Sequence, residues 1–300
     1  MNVFLRVYNT LFRTIQRYDL SAWDHPVNTD KPIYGVYHVF CADGWESLVN
    51  AQVQRLRASG LLDASAKFYV SCITLHEGDV DTLKKIVNSD KLEIISVDDN
   101  PKVFEYPALE FLREKSDHEE CLFYYFHTKG VSFFTKKRKD HCFAKFKRRV
   151  NAWRLLMEYF LMDKWQVAVN VLLDGYDTYG CNRYPPKPAP YRMYAGNFWW
   201  ASSKYIRTLP YLDRRELQHN RFYAEDWLYE GHIDEIKDFS AFDTVAQLYR
   251  VYMPPVFYES NKLHLFTMIK FVYRYNLVKI RKNIFKYNYD NHLNHKYQKT

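Results

Sequence analysis

His127-Thr128-Lys129-Gly130 carries the clearest chemistry in this sequence. It closes an apolar, β-rich run, so a strand enters a loop through an imidazole, a hydroxyl and an ammonium group. Such a tetrapeptide brings a cationic pair to a ligand edge, and glycine lets the backbone come close to a bound group. Eight Lys/Arg against Asp140 follow in residues 136–149, which favours phosphate binding over a plain strand-to-loop transition with a solvated lysine. Gly196-Asn197-Phe198-Trp199-Trp200 is the second segment of interest. Paired indoles after a glycine and an amide form a sugar-stacking platform. Alternation along a strand sends Trp199 and Trp200 to opposite faces, so one of them is expected in the core. Glu225-Asp226-Trp227 is the third: either carboxylate can take a proton from a hydroxyl, and both also suit the acidic first turn of a helix. Asp98-Asp99 and Asp174 with Asp177 are carboxylate pairs of the kind that hold Mg²⁺ or Mn²⁺, and equally of the kind found in turns.

The elements that must position these residues alternate. Ile33–Phe40, Lys67–Thr74, Leu92–Val97 and Cys121–Phe126 are rich in β-branched and aromatic residues. Between them, helical spacing runs from Trp45 to about Ser59, from Asp79 to Asn88 and from Glu105 to Lys115. Four strands separated by three helices imply right-handed crossovers and a mostly parallel sheet. Parallel sheets bind ligands beyond the carboxyl ends of their strands. Those ends are Cys41-Ala42-Asp43-Gly44, Asp98-Asp99-Asn100 and His127-Thr128-Lys129-Gly130, all polar and all on one edge.

Flanking this region, residues 1–18 read as an amphipathic helix and 150–173 as another. Asp174–Tyr184 reads as turns, and Pro185, Pro186, Pro188 and Pro190 form an extended link. Met193–Ser202 is a short aromatic strand, and Arg221–Glu230 a further element. From Lys262 to Lys282 apolar and basic residues alternate at helical spacing, with Lys270, Arg274 and Arg281 on one face.

Composition sets the limits. The chain has 300 residues, 47% apolar and 26% charged, which is globular and excludes a disordered or collagen-like chain. The net charge of +8 is uneven: residues 261–300 hold nine Lys/Arg against Asp290, while the body outside the two basic stretches is mildly acidic. Two cationic patches imply an anionic partner, whether phosphate groups, nucleic acid or a membrane surface. Five cysteines without a CxxC pair read as buried thiols in a reducing compartment. No apolar run is long enough to span a bilayer, and Arg6, Asn9 and Arg13 interrupt any leader-like stretch, so a cytoplasmic location is expected. G-x-G-x-x-G after the first strand, G-x-x-x-x-G-K-[ST], H-E-x-x-H and G-x-S-x-G are all missing, which leaves dehydrogenase, P-loop, zincin and α/β-hydrolase readings without support.

YYFHTKG, NAWRLLMEYF, GNFWWAS and AEDW occur in that order, and together they resemble GT-A-like glycosyltransferases of surface or capsular polysaccharide synthesis. The resemblance covers roughly residues 33–230. It implies an α/β fold with a mostly parallel sheet flanked by helices, extended by a basic helical C-terminus. The expected organisation is an N-terminal helix and linker over 1–30, a catalytic domain over 31–258 and a basic aromatic tail over 259–300. Within the catalytic domain the nucleotide half would be about 31–135 and the acceptor half about 150–258. The implied activity is sugar transfer from a nucleotide-diphosphate sugar to a saccharide acceptor, read as lipid-linked. By that resemblance His127, Thr128, Lys129 and Gly130 would meet the donor diphosphate, and His38, Asp98 and Asp99 the nucleotide. Asn197, Trp199 and Trp200 would line the sugar pocket, and Glu225 or Asp226 would be the base. The pattern's D-x-D, which holds a divalent Mn²⁺ or Mg²⁺, is replaced here by His127-Thr128-Lys129; no metal ligand is assigned, and a fixed cation is expected in its place. The basic tail would hold the enzyme at the inner face of an anionic membrane. Two alternatives stand beside this reading: a non-catalytic polysaccharide-binding scaffold, and a nucleic-acid binder using the basic patches. The second lacks any recognised nucleic-acid module, so no nucleic-acid partner is expected.

Overall fold

The computed structural model describes residues 5–6, 9–10, 13–131, 141–186, 192–212, 223–230 and 236–286. The expected alternation is present: β1 (Ile33–Phe40), α1 (Trp45–Ala58), β2 (Lys67–Ile73), α2 (Asp79–Val87), β3 (Leu92–Asp98), α3 (Tyr106–His118) and β4 (Leu122–His127). After them come α4 (His141–Glu158), α5 (Trp165–Leu173), β5 (Thr178–Gly180), β6 (Trp199–Ser202), β7 (Asp238–Ser240) and α6 (Leu265–Asn283). The seven strands form one sheet in the order β7-β5-β6-β4-β1-β2-β3. All neighbours are parallel except β6, which runs antiparallel to both β4 and β5. The fold is α/β with a mostly parallel sheet, as expected.

Both faces of the central strands are covered, as a parallel sheet requires. On one face Tyr34, Val36, Phe123 and Tyr125 pack with Leu109 and Leu112 of α3. On the other, Tyr37 stacks on Phe126 at 4.1 Å and Tyr124 lies 5.0 Å from Trp200. Gly35 in β1 makes room for that second layer: a Cβ there would lie 2.3 Å from Tyr124 Cζ and 2.6 Å from Phe68 Cδ2. From β1 the chain steps outward to β2 and β3, then returns to pair β4 on the other side of β1. Open parallel sheets take their ligands at the carboxyl ends of their strands where the order reverses, which here are the ends of β1 and β4.

Several expectations need correction. Residues 5–6 and 9–10 are helical, but Ile15–Arg17 is a short strand, so a helix over 1–18 does not hold. The turn-rich reading of Asp174–Tyr184 misses β5, whose three residues are too few for a period to register. Met193–Ser202 is broken by a turn at 195–197, leaving β6 and a two-residue strand at Met193–Tyr194. Residues 150–173 are helical but interrupted by a π-helical turn at Tyr159–Asp163. The basic run 136–140, Pro188 and Pro190, residues 221–222 and the tail 287–300 lie outside the described residues. Cys41, Cys72, Cys121 and Cys181 are free and buried, as expected.

Two compact units divide the chain, interleaved along the sequence rather than consecutive. Residues 18–137 and 157–243 form one and hold the whole seven-stranded sheet. Residues 1–17, 138–156 and 244–300 form the other, which holds most of α4 together with α6. Within this second unit Arg17 donates to Ser260 O at 2.7 Å and Asn261 Oδ1 at 3.1 Å. Among the described residues no helix is long and apolar enough to cross a membrane.

Candidate functional site

The candidate site at the ends of β1 and β4 is built from their last residues. His38 and His127 are register partners across the pair. Thr128 continues the pairing: its N–H donates to His38 O at 3.1 Å, and its hydroxyl oxygen accepts from Phe40 N–H at 2.9 Å. Thr128, expected among the diphosphate ligands, is thus a buried tie between the two strand ends. Gly130 follows in the left-handed region at φ 82°, which turns the chain directly after Lys129.

His127 is not the cation that the sequence suggested. Its Nε2–H donates to Gly196 O at 3.0 Å, which fixes the tautomer. Glu105 Oε1 lies 3.5 Å from Nδ1, an approach without a hydrogen bond. Burial and the nearby Lys129 charge push the imidazole pKa down to about 3, against the opposing pull of the Gly196 carbonyl and Glu225. His38 is likewise held neutral: burial lowers it to about 4, Glu105 opposes and His127 adds to the shift. Its Nδ1 bonds with Ser71 Oγ at 3.2 Å. Lys129 therefore carries the positive charge of this tetrapeptide at neutral pH.

Glu105, which the sequence marks only as the start of the third helical stretch, is the hub of the site. It directly precedes α3, and its side chain leaves the helix end uncapped. Instead its Oε2 accepts from Tyr125 Oη–H at 2.8 Å and Asn197 Nδ2–H at 2.6 Å. Phe104, immediately before it, sits at φ 50°, and Asn197 at φ 59°, so two non-glycine residues in the left-handed region flank one hydrogen bond. Strain of this kind persists where surrounding contacts over-determine the backbone, and it gathers at functional sites.

Asn197 also donates to Ala224 O at 3.3 Å and accepts from Trp199 Nε1–H at 2.7 Å. Its amide, expected to bind sugar, is spent inside the protein. Trp199 and Trp200 do alternate in face, but they are 1% and 0% exposed. Trp199 packs on Tyr125 and Trp200 on Tyr124, each at 5.0 Å, and Trp200 Nε1–H donates to Leu161 O at 2.9 Å. Neither ring has a face left for a sugar. The platform expected here is core, because both sides of the sheet are covered.

Through Ala224, Asn197 ties the site to the helical turn Tyr223–Asp226. Glu225 raises the pKa of both His127 and Tyr125 by its charge, so it acts on the same cluster as Lys129. Asp226 Oδ1 is buried with no hydrogen-bond partner. Burial raises its carboxyl pKa, and Glu225 adds to the rise. A carboxylate of this kind is poised to accept a proton. On the opposite face of β4 a buried chain supports the strand end. Gln52 Nε2–H donates to Glu158 Oε1 at 2.9 Å and to His127 O at 3.4 Å, while Gln52 Oε1 accepts from Tyr37 Oη–H at 2.6 Å.

The remaining carboxylates stand elsewhere. Asp98 and Asp99 end β3 on the sheet's edge, with β2 between them and β1; Asp98 Oδ1 accepts from Asn100 N–H at 2.7 Å and Asp99 is exposed. Asp174 accepts from Trp23 Nε1–H at 3.2 Å and Asp177 from Lys237 N–H at 3.0 Å, so this pair joins segments of chain. Among the described residues no three His, Cys, Asp or Glu converge as a metal-binding group. At the end of β4 the donors are a neutral imidazole committed to a carbonyl, a buried hydroxyl and an ammonium. That set does not fit a divalent ion.

No protein-family profile matches the sequence, and no curated protein matches it significantly. Among solved structures, the chain is similar to 4-diphosphocytidyl-2C-methyl-D-erythritol synthase from Anaerococcus prevotii, at 8% identity and a TM-score of 0.39 over 83% of this chain and 99% of that one. It is also similar to a protein assigned to the nucleotide-diphospho-sugar transferases from Desulfovibrio desulfuricans, at 12% identity and a TM-score of 0.39 over 84% and 96%.

Proposed function

We propose that this protein is a GT-A-like glycosyltransferase that moves a sugar from a nucleotide-diphosphate sugar to a saccharide acceptor. The acceptor is read as lipid-linked, and the enzyme as working in surface-polysaccharide synthesis at the inner face of the membrane. The observation that carries this reading is the cluster at the paired ends of β1 and β4. There Lys129 and Glu225 both act on one neutral imidazole, and Asp226, next to Glu225 in the chain, keeps one buried oxygen without a hydrogen bond. In the reaction, the acceptor oxygen bonds to the anomeric carbon as the sugar–phosphate bond breaks. The electron pair leaves on the nucleoside diphosphate, and the hydroxyl proton goes to Glu225 or Asp226. Lys129 stabilises the charge gathering on the leaving diphosphate, in the role that the GT-A pattern gives to a metal. Glu105, His127 and Asn197 are positioning residues for the loops that carry these groups. The reading of a non-catalytic saccharide scaffold is weakened by the burial of Trp199 and Trp200.

An assay of nucleoside diphosphate release from UDP- and GDP-sugars, with and without saccharide acceptors, tests this. Acceptor-dependent release that persists in EDTA and is lost in a folded Lys129→Met variant is the expected result. Saccharide binding without any nucleotide binding or release would return the protein to the scaffold class.

A further inference from the structure

The second compact unit contains a cavity of about 320 Å³, near the lower end of the roughly 300–1,000 Å³ of small-ligand pockets. Lys145, Arg148, Arg149, Arg250, Arg274 and Arg281 line it, and among the described residues no Asp or Glu does. Three of its arginines touch carbonyls and rings. Arg149 Nη1–H donates to the carbonyls of Tyr249 at 3.4 Å and Arg250 at 2.8 Å. The Arg148 guanidinium lies 4.5 Å over the Tyr252 ring, and Arg250 lies 5.0 Å over Tyr249. Guanidinium groups gathered in one cavity select an anion, and a multiply charged one most.

The helix that forms one wall says where that anion comes from. Along α6, Phe266, Ile269, Tyr273, Ile280 and Ile284 are all exposed, Phe266 by 88% and Ile284 by 69%. At about 100° per residue these five fall within an arc of about 60°. Arg274, Leu277, Val278 and Arg281, which line the cavity, fill the next arc of about 100°. Met268 and Phe271 are buried on the far side of that arc. The helix thus presents an apolar ridge beside a cationic cavity, the geometry of an element lying in the plane of an anionic interface.

We infer that this cavity is a receptor for the terminal phosphate of a membrane lipid, a phosphomonoester or diphosphate, with the Phe266–Ile284 ridge entering the acyl layer. The inference rests on the membrane-facing part of the proposed function and is independent of the transfer chemistry. A terminal phosphate carries more charge than a phosphodiester and reaches several cations at once, so the cavity distinguishes the two where a diffuse basic patch does not. A soluble oligoanion or RNA would make no use of the apolar ridge.

The test is co-sedimentation of the full chain with vesicles of phosphatidylcholine containing phosphatidic acid or, at equal surface charge, phosphatidylglycerol. Phosphatidic acid vesicles should bind about tenfold more tightly, on the scale of one added charge contact. Arg148→Gln with Arg274→Gln, both at exposed positions, should abolish that preference. Lys262→Gln with Lys282→Gln, which removes the same charge outside the cavity, should weaken both vesicles alike and keep the preference. Equal binding of the wild type to both lipids would overturn the cavity and leave the membrane reading intact. Failure to bind any anionic vesicle would overturn both. Stabilisation by inorganic pyrophosphate that needs Arg148 and Arg274, with no lipid preference, would make it a site for soluble anions. Tighter binding of RNA oligonucleotides through the same arginines would also overturn the proposal.

Discussion

At the ends of β1 and β4 polar groups are buried, few and committed: Glu105 receives Tyr125 and Asn197, His127 is held by Gly196, and His38 pairs with Ser71. In the cavity lined by α4 and α6, six cations gather, three of them against rings and backbone carbonyls, and among the described residues no Asp or Glu lines it. The first region fixes atoms in place, at the cost of backbone strain at Phe104 and Asn197. The second produces a field. A network of short hydrogen bonds suits a reaction in which one proton and one leaving group must be placed to within fractions of an ångström. A cluster of guanidinium groups, exposed at Arg148, Arg274 and Arg281, suits recognition of charge at a surface. The two regions should therefore respond differently to substitution.

The largest contrast is expected in activity. Replacing the true base, by Glu225→Gln or Asp226→Asn, should lower turnover by roughly 10²–10⁴-fold while the fold persists. Full activity in both variants would show that the base lies elsewhere. Next comes stability. Glu105→Ala leaves the Tyr125 hydroxyl and the Asn197 amide without their acceptor, which should cost about 2–4 kcal/mol in urea unfolding. A smaller, graded effect is expected from pH. His38 and His127 stay neutral in the folded protein down to about pH 4 and about pH 3, whereas unfolded histidines take up protons near pH 6.5. As pH falls below 6.5 the unfolded chain therefore binds more protons, and stability declines by up to about 1.4 kcal/mol per pH unit for each group. His38→Asn should flatten that slope between pH 6 and 4. Arg148→Gln with Arg274→Gln should move the unfolding midpoint least, since neither side chain is buried.

The sequence was most legible where local pattern and tertiary environment agree. β1 and β2 are apolar runs next to helices of clear period, and their bounds are recovered to within a residue. β5 and β7 span three residues each, and no periodicity distinguishes so short a strand from a turn. The antiparallel direction of β6 depends on the course of the whole chain and was invisible locally. Alternation separated Trp199 from Trp200 correctly, but it could not say that helices and loops cover both faces of the sheet. The place of the candidate site, beyond the β4 end, followed from the strand order. Its hub did not: Glu105 meets partners 20 and 92 residues away, a proximity that only the folded sheet creates. His127 was misread as a cation for a related reason, since burial decides its charge.

The central claim is that Lys129 takes the place of a metal in holding a donor diphosphate. The most direct test is thermal unfolding of the wild type and Lys129→Met with UDP, GDP or CMP, each with Mn²⁺ and with EDTA. A saturating ligand at a hundredfold excess over Kd adds about 2.7 kcal/mol, enough to be read as a melting shift. The account predicts a shift with one nucleoside diphosphate that survives EDTA and is lost in Lys129→Met. A shift that requires Mn²⁺ and is indifferent to Lys129, or no shift with any nucleotide, would contradict it.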